Sequence, residues 1–192
     1  MGRANFTMRN PLYKILAALF IVARREREVS VVKEIIAKWD KNKGKLEQWF
    51  KTAHPESYKA IVEKLFELVI NDSDESLDDF DVSKMTMIDN GDYQGTQIFI
   101  VPKDTYQPSV GDYLVTDTYY GSCSGCDTLE RIRSYEDSAP SEGQAKDYMT
   151  LALHLVQKLR WLSAEKMNKE NRQNFVQQAQ AKMAEVSEVQ GL

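Results

Sequence analysis

The two cysteines of this 192-residue chain lie three positions apart, at Cys123 and Cys126. A thiol pair with C-x-x-C spacing can bind zinc, exchange with a disulfide, or pack as two small apolar side chains. The pair lies in a Gly- and Ser-rich segment that follows a β-branched and aromatic stretch. Asp127, with Glu130 three residues later, has the spacing of a capping box. The sequence therefore predicts a tight loop over 121–127 between a strand and a helix that begins at Asp127.

Metal and nucleophilic chemistry are the first options for this pair. Two thiolates supply half of a tetrahedral zinc site, and the histidines left to complete it are His54 and His154. We therefore expect no resident cofactor, and zinc through Cys123 and Cys126 only if a second chain completes the site. A nucleophile–base pair of Cys126 and His154 also stays open.

Redox chemistry, anion binding and a purely structural role are the alternatives. A thiol at a helix start has a lowered pKa, but thioredoxin-like proteins place it in a βαβ context, and here antiparallel strands are predicted. Backbone N–H groups of a Gly/Ser loop favour an anion, whereas the neighbouring aspartates repel one. In the structural alternative the glycines permit a sharp turn and the cysteines are small buried hydrophobes.

Tyrosines and aspartates around the loop complete the set of candidate binding residues. Tyrosine is frequent at recognition surfaces, although it is equally suited to strands. The set consists of Asp104, Tyr106, Asp112, Tyr113, Asp117, Tyr119, Tyr120, Ser122, Cys123, Ser124, Cys126 and Asp127. We predict no catalytic residue and no complete metal site among them. As a helix cap, Asp127 is expected to contribute about 1 kcal/mol, and Asp127→Asn is expected to cost much less than Asp127→Ala.

Charge is distributed unevenly along the chain. Residues 1–70 carry fourteen Lys/Arg and eight Asp/Glu, whereas residues 71–150 carry five and seventeen, although the net charge is only −4. Segregated charge of this kind can steer association. The composition is that of a soluble globular protein, and two cysteines are no secreted disulfide framework, so a reducing compartment is expected.

Amphipathic patterns predict a helical bundle over 11–70. One helix is expected over 12–23, a second after Ser30 that ends before Gly44, then a short helical piece, and another helix with Pro55 in its first turn. The apolar run within 12–23 is much shorter than the roughly 20 residues of a membrane span, so we expect no membrane association.

The second half of the chain predicts a small antiparallel sheet. Strands are expected over 85–88 and 96–101, joined through Asn90-Gly91, and over 113–120. A long helix should then bury Tyr148 through Leu162. The predicted fold is α+β: an N-terminal helical lobe, an antiparallel sheet of about three strands, and C-terminal helices. The predicted division is a helical lobe 1–70, an acidic linker 71–84, an α+β core 85–163 with the Cys loop, and a polar helical or flexible tail 164–192.

One stretch resembles a motif of small uncharacterised proteins encoded by large tailed bacteriophages. The similarity covers roughly residues 97–133 and includes Asp104-Thr105-Tyr106-Gln107-Pro108, Asp112-Tyr113, and the run from Tyr119 to Leu129. The family has no known activity to carry over. The resemblance implies a phage origin, action in the cytoplasm of the infected host cell, and an important loop.

Together these features favour a phage-encoded, non-catalytic binding protein that acts on a host or phage macromolecule. The alternative is a small enzyme or a ligand- or metal-binding domain centred on Gly121–Asp127. A host or phage protein is the expected partner, and homo-oligomerisation through the tail stays open, with Phe175 and Met183 at helical spacing. Nucleic acid is disfavoured because the tryptophans of the basic segment fall on apolar stripes.

Overall fold

The computed structural model describes residues 32–71, 79–134 and 138–162. The helix predicted over 12–23 and the tail 164–192 lie outside these residues. In the described chain, helix α1 covers 32–50 and buries Ile35, Trp39, Leu46 and Phe50 along one face. The predicted end before Gly44 is wrong. Gly44 is exposed, and a Cβ at this position would meet no atom within 4 Å. The helical spacing of buried apolar residues continues past Gly44, so the helix continues as well.

Helix α2 spans Tyr58–Leu65 and continues as a π-helical turn over Phe66–Ile70. Its N-cap is Ser57, whose hydroxyl accepts the N–H of Ala60 at 3.2 Å. The prediction that Pro55 lies in the first turn is therefore wrong, because a serine closer to the apolar stripe supplies the side-chain oxygen that the first N–H groups need.

Two polar side chains of α1 satisfy the carboxyl end of this π-helical turn. The Lys38 ammonium is 3% exposed and donates to the carbonyl of Ile70 at 2.7 Å. The Asn42 amide donates to the carbonyl of Val69 at 3.4 Å. Carbonyl groups at a helix end lack hydrogen-bond partners within the helix, and the Lys38 and Asn42 side chains supply those partners here. The same contacts fix α1 against α2.

The sheet is an antiparallel meander with the order β1-β2-β3-β4. Its strands are β1 (Thr86–Asp89), β2 (Gly95–Pro102), β3 (Tyr113–Tyr120) and β4 (Arg160–Trp161). The three predicted strands are confirmed, and the two-residue β4 is an addition. β3 pairs with β2 over its whole length, from Tyr113 opposite Pro102 to Tyr120 opposite Gly95.

Two helices follow β3, α3 (Thr128–Arg133) and α4 (Glu142–Gln157). The long helix predicted to reach Leu162 ends five residues earlier, since the chain turns at Lys158 to form β4 beside β3. Tyr148 and Leu155 of α4 are buried, and the carbonyl of Leu155 accepts the hydroxyl of Thr116 at 2.8 Å. This bond joins α4 to the centre of the sheet.

A single hydrophobic cluster joins the helices to one face of the sheet. It contains Phe50 of α1, Leu65 of α2, Phe99 of β2, Leu114 of β3 and Tyr148 of α4. The regions on either side of the acidic segment therefore share one core, and the chain is an α+β protein.

The described end of the acidic segment contributes to that core. Phe80 is 2% exposed, and its N–H and C=O both bond to the side chain of Asn71, at 2.9 and 2.8 Å. A second, smaller apolar cluster on the opposite face of the sheet contains Ile88, Ile100 and Val115. No helix among the described residues has the length and apolarity needed to span a membrane.

Candidate functional site

The predicted loop is a compact turn between β3 and α3. The carbonyl of Cys123 accepts the N–H groups of Cys126 at 2.9 Å and of Asp127 at 2.8 Å. Asp127 is the N-cap of α3, and its carboxylate accepts the N–H of Glu130 at 3.0 Å. The prediction that the helix is capped by Asp127 is confirmed.

Asp127 has a larger role than that of a cap. It is 5% exposed, and the oxygen that accepts from Glu130 also accepts the hydroxyl of Tyr58 at 3.1 Å. Its other carboxylate oxygen accepts the N–H of Gly121 at 2.9 Å. One buried carboxylate thus joins the end of β3, the start of α3 and helix α2, and it closes the loop from both sides.

Tyr58 completes this buried connection. Its hydroxyl donates to Asp127 and accepts the N–H of Leu129 at 3.2 Å. Burial, and then the neighbouring Asp127 carboxylate, raise the pKa of Tyr58 well above its ordinary value. The loop therefore rests on α2 through a phenol that stays neutral. Nothing in the spacing from position 58 to 127 could have indicated this contact.

Gly121 is required by the close approach of the loop to itself. A Cβ at this position would lie 2.5 Å from the sulfur and 2.6 Å from the carbonyl oxygen of Cys126. At Gly125, by contrast, the nearest atom would be the Cys123 sulfur at 3.7 Å, which is an ordinary van der Waals contact. Only the first glycine therefore holds the geometry of the thiols.

Both thiols are free and exposed, and their sulfur atoms are 3.0 Å apart. The Cys126 sulfur also lies 3.2 Å from the N–H of Cys123 and 3.8 Å from the Ser122 hydroxyl. The bond from the Cys123 thiol lowers the pKa of Cys126 most, the Ser122 hydroxyl and backbone N–H groups lower it further, and desolvation opposes them. The exposure of the cysteines contradicts the structural alternative in which they are buried hydrophobes.

The tip of the β1–β2 hairpin lies beside this loop. Tyr120 donates its hydroxyl to Asp89 at 2.8 Å, and the same hydroxyl lies 2.8 Å from the carbonyl of Gly91. Since Tyr120 is on β3 and Asp89 is on β1, the phenol bridges across β2. Partial desolvation and the Asp89 carboxylate raise the pKa of Tyr120. We call residues 89–95 and 119–127 together the loop end.

Large aromatic side chains are exposed at the loop end. Tyr93 at the hairpin tip is 84% exposed, and Tyr119 on β3 is 53% exposed. Sequence reasoning missed Asp89 and Tyr93. The Asn90-Gly91 turn signal could have placed both at the loop end, because a hairpin between β1 and β2 brings its tip level with the end of β3.

The remaining candidates do not join this site. Asp104, Tyr106 and Asp112 lie in the connection 103–113 between β2 and the start of β3, which we call the far end. The two ends lie at opposite ends of the eight-residue strand β3, which is roughly 23 Å long. Tyr106 is 97% exposed there, and Tyr113 packs beside the smaller apolar cluster. The predicted set, apart from Asp117, therefore divides into two groups.

Asp117 belongs to neither end. It lies midway along β3, where its carboxylate accepts from the Arg160 guanidinium at 2.9 Å and from the Lys158 ammonium at 3.2 Å. These cations come from the turn after α4 and from β4. Asp117 thus fixes the short fourth strand, and the local negative charge predicted around the loop is partly neutralised at this position.

The histidines do not complete a site with the thiols. His54 lies 2.7 Å from the Tyr148 hydroxyl through Nδ1, and His154 is exposed on α4. Across the described ranges, no hydrogen bond joins Cys126 to His154, and no group of three or more His, Cys, Asp or Glu is arranged to hold a metal ion. Within the described ranges the loop offers zinc two thiolates, which is half of a tetrahedral site.

Comparison of the chain with models of known protein families, with curated proteins and with solved structures found no match. The geometry of the loop end is therefore the basis on which a function can be inferred.

Proposed function

We propose that this chain is a phage-encoded binding protein that acts, without catalysis of its own, on a host or phage protein in the bacterial cytoplasm. The loop end is the binding surface in this proposal. The observation that carries the proposal is the exposure of Tyr93 and Tyr119 at the loop end. The backbone around these side chains is fixed by hydrogen bonds to Asp89 and Asp127. Exposed tyrosines supply large contact areas with little loss of side-chain entropy, as binding surfaces require.

The framework under these tyrosines is ordered before any partner arrives. Asp89 accepts from Tyr120, from the N–H of Gly91 at 3.1 Å and from the Gln97 amide at 3.0 Å, so the hairpin tip is fixed. Asp127 fixes the neighbouring loop in the same way. A surface that is ordered in the free protein loses less entropy on binding, which supports a specific contact.

The charge of the loop end indicates the chemistry of the partner. Its two segments, 89–95 and 119–127, contain Asp89, Asp92 and Asp127 and no lysine or arginine. Phosphate groups are repelled by such a surface, whereas a basic protein surface is attracted to it. A protein partner therefore fits better than a nucleic acid.

Affinity capture from a lysate of phage-infected bacteria tests the proposal. The experiment compares the native chain with two variants, one altered at the loop end and one altered at the far end. The loop-end variant combines Tyr93→Ser with Tyr119→Thr, which keeps a β-branched residue in the strand. The matched control combines Tyr106→Ser with Val110→Ser at the far end, where both side chains are also exposed.

We expect a stoichiometric partner that the native chain and the far-end control retain, that the loop-end variant loses, and that dissociates as salt is raised. A partner retained equally by both variants, or lost only with the far-end control, would contradict the proposed surface. Native-like thermal unfolding of both variants shows that the difference arises from the surface.

A further inference from the structure

We propose that Cys123 and Cys126 form a redox-active dithiol, which exchanges with a disulfide and closes to an intramolecular Cys123–Cys126 disulfide. This goes beyond the proposed binding function, because the exchange is stoichiometric chemistry of the loop itself. It does not depend on the identity of the protein partner.

The separation of the sulfur atoms is short enough for a disulfide to form with a small movement. They lie 3.0 Å apart, and a disulfide bond of about 2.05 Å requires them to approach by about 1 Å. Two sulfurs bound to one tetrahedral zinc at about 2.3 Å lie roughly 3.8 Å apart. A disulfide thus requires the sulfur atoms to move together by about 1 Å, and a shared zinc requires them to move apart by about 0.8 Å. Within the described residues no third His, Cys, Asp or Glu joins the pair to hold a metal ion, which favours the disulfide.

The loop keeps this geometry while leaving the sulfur atoms open to an incoming molecule. Asp127 and Tyr58 are buried beneath it, and Gly121 lets the backbone lie against Cys126. The two cysteines themselves are exposed. A rigid base with an accessible thiol pair combines two requirements of thiol–disulfide exchange, proximity of the second thiol and access to the first.

The surroundings of the sulfurs distinguish the attacking thiol from the resolving thiol. The Cys126 sulfur faces three possible donors that stabilise a thiolate, the N–H of Cys123, the Ser122 hydroxyl and the Cys123 thiol. One contact opposes them, because the Cys123 carbonyl at 3.2 Å accepts from the protonated thiol. The lowered pKa of Cys126 agrees with this geometry. Cys126 is therefore the attacking nucleophile and Cys123 the resolving thiol.

The exchange balances in two steps. The Cys126 thiolate, its proton released to solvent, attacks one sulfur of a disulfide R–S–S–R′, and R′–S⁻ leaves and takes up a proton. Cys123 then loses its proton and attacks the Cys126 sulfur of the mixed disulfide, so that R–S⁻ leaves and is protonated. The protein dithiol is oxidised by two electrons and the substrate disulfide is reduced to two thiols.

The test uses the full chain, reduced and then exposed to glutathione disulfide in one arm and to disulfide-bonded insulin in the other. These arms separate a small-molecule disulfide from a protein disulfide as the source. Alkylation of remaining thiols followed by mass spectrometry of the intact chain reports the oxidation state. We expect loss of both thiols with an intramolecular disulfide as the product in at least one arm.

The single variants identify the two roles. Cys123→Ser should accumulate a stable mixed disulfide with glutathione at Cys126, because the resolving thiol is absent. Cys126→Ser should react several-fold more slowly. A peptide of residues 120–129 is the matched control, since it has the same thiols without Tyr58, and it should form the internal disulfide less readily than the folded chain.

Three results would overturn the proposal. The first is that both thiols persist under conditions that oxidise the peptide. The second is that the two single variants react at equal rates. The third is that two chains bind added zinc and all four of their thiols are protected. Serine is nearly isosteric with cysteine and both positions are exposed, so thermal unfolding of the variants should match that of the native chain.

Discussion

Asp127 at the loop end and Asp112 at the far end hold similar local motifs in different surroundings. Asp112 is the third residue (N3) of a short helical turn with a capping box, in which its carboxylate accepts the N–H of Ser109 at 2.9 Å. Its carboxylate also lies 4.0 Å from the Lys103 ammonium. Asp127 accepts from Gly121, Glu130 and Tyr58, which belong to three parts of the fold. The side chain of Asp112 is 28% exposed, whereas Asp127 is 5% exposed as a residue.

This difference shows how tertiary structure changes the contribution that one residue type makes to stability. A cap on an exposed turn replaces bonds to water, so its net contribution is small. A buried carboxylate that holds donors from three elements cannot be replaced by water when it is removed. Substitution of Asp127 should therefore cost far more stability than substitution of Asp112.

The largest expected effect is that of Asp127→Ala. Three donors to a buried charged acceptor lose their partner, and a hydrogen bond to a charged group contributes about 1.5–3 kcal/mol. Because bonds that share one acceptor are not additive, we expect a total loss of about 3–5 kcal/mol. Urea unfolding followed by circular dichroism measures it. A loss near 1 kcal/mol would show that Asp127 contributes only as a helix cap, and would contradict the larger role.

Asp127→Asn sharpens the same comparison. Both carboxylate oxygens accept hydrogen bonds, so an amide NH₂ at either position faces a donor, and we expect a cost of about 1–3 kcal/mol. This replaces the sequence expectation that Asn would cost much less than Ala. Urea unfolding of this variant beside Asp127→Ala checks it, and a nearly native stability would show that only one oxygen is used.

Gly121→Ala comes next, with Gly125→Ala as its matched control. The new methyl group at position 121 would overlap Cys126, and relief of the overlap should cost about 1–3 kcal/mol and alter the reactivity of its thiol. At position 125 the nearest contact is ordinary, and we expect a change within about 0.5 kcal/mol. Unfolding and thiol alkylation rates test both, and equal effects would contradict the steric account.

Tyr58→Phe removes a hydroxyl that both donates and accepts, and we expect a loss of about 1–2 kcal/mol at neutral pH. The raised pKa of folded Tyr58 also has a consequence at alkaline pH. The protonated phenol stabilises the fold fully below its unfolded pKa of about 10, and this contribution falls as pH rises above that value. Between neutral and alkaline pH, the free energy of unfolding measured by denaturation should thus fall less steeply with pH for Tyr58→Phe than for the native chain. Equal slopes for the two proteins would contradict the buried role of the Tyr58 hydroxyl.

Asp112→Ala should have a small effect, about 0.5–1 kcal/mol, since it removes a partly exposed cap and a long contact with Lys103. Thermal unfolding measures it, with Asp127→Ala run in parallel. If Asp112→Ala were as damaging as Asp127→Ala, burial would not be what distinguishes the two ends.

Local sequence signals were sufficient for several elements of the fold. The three main strands, the hairpin at Asn90-Gly91 and the cap at Asp127 depend on side-chain alternation, turn chemistry and a three-residue spacing. The same reasoning failed at Gly44 and at the carboxyl end of α4. Intrinsic preferences of a few tenths to about 1 kcal/mol were outweighed there by burial of a continuous apolar face and by strand pairing.

The sequence by itself determined the α+β class, the strand–loop–helix arrangement around Cys123 and Cys126, and the capping role of Asp127, because each depends on neighbours in the chain. Only the tertiary structure decided that Asp127 is bound by Tyr58, that the hairpin tip at Tyr93 shares an end with the thiols, and that Tyr106 lies at the other end. These relations join residues far apart in sequence, and they are set by how the apolar faces of the helices and the sheet pack into one core.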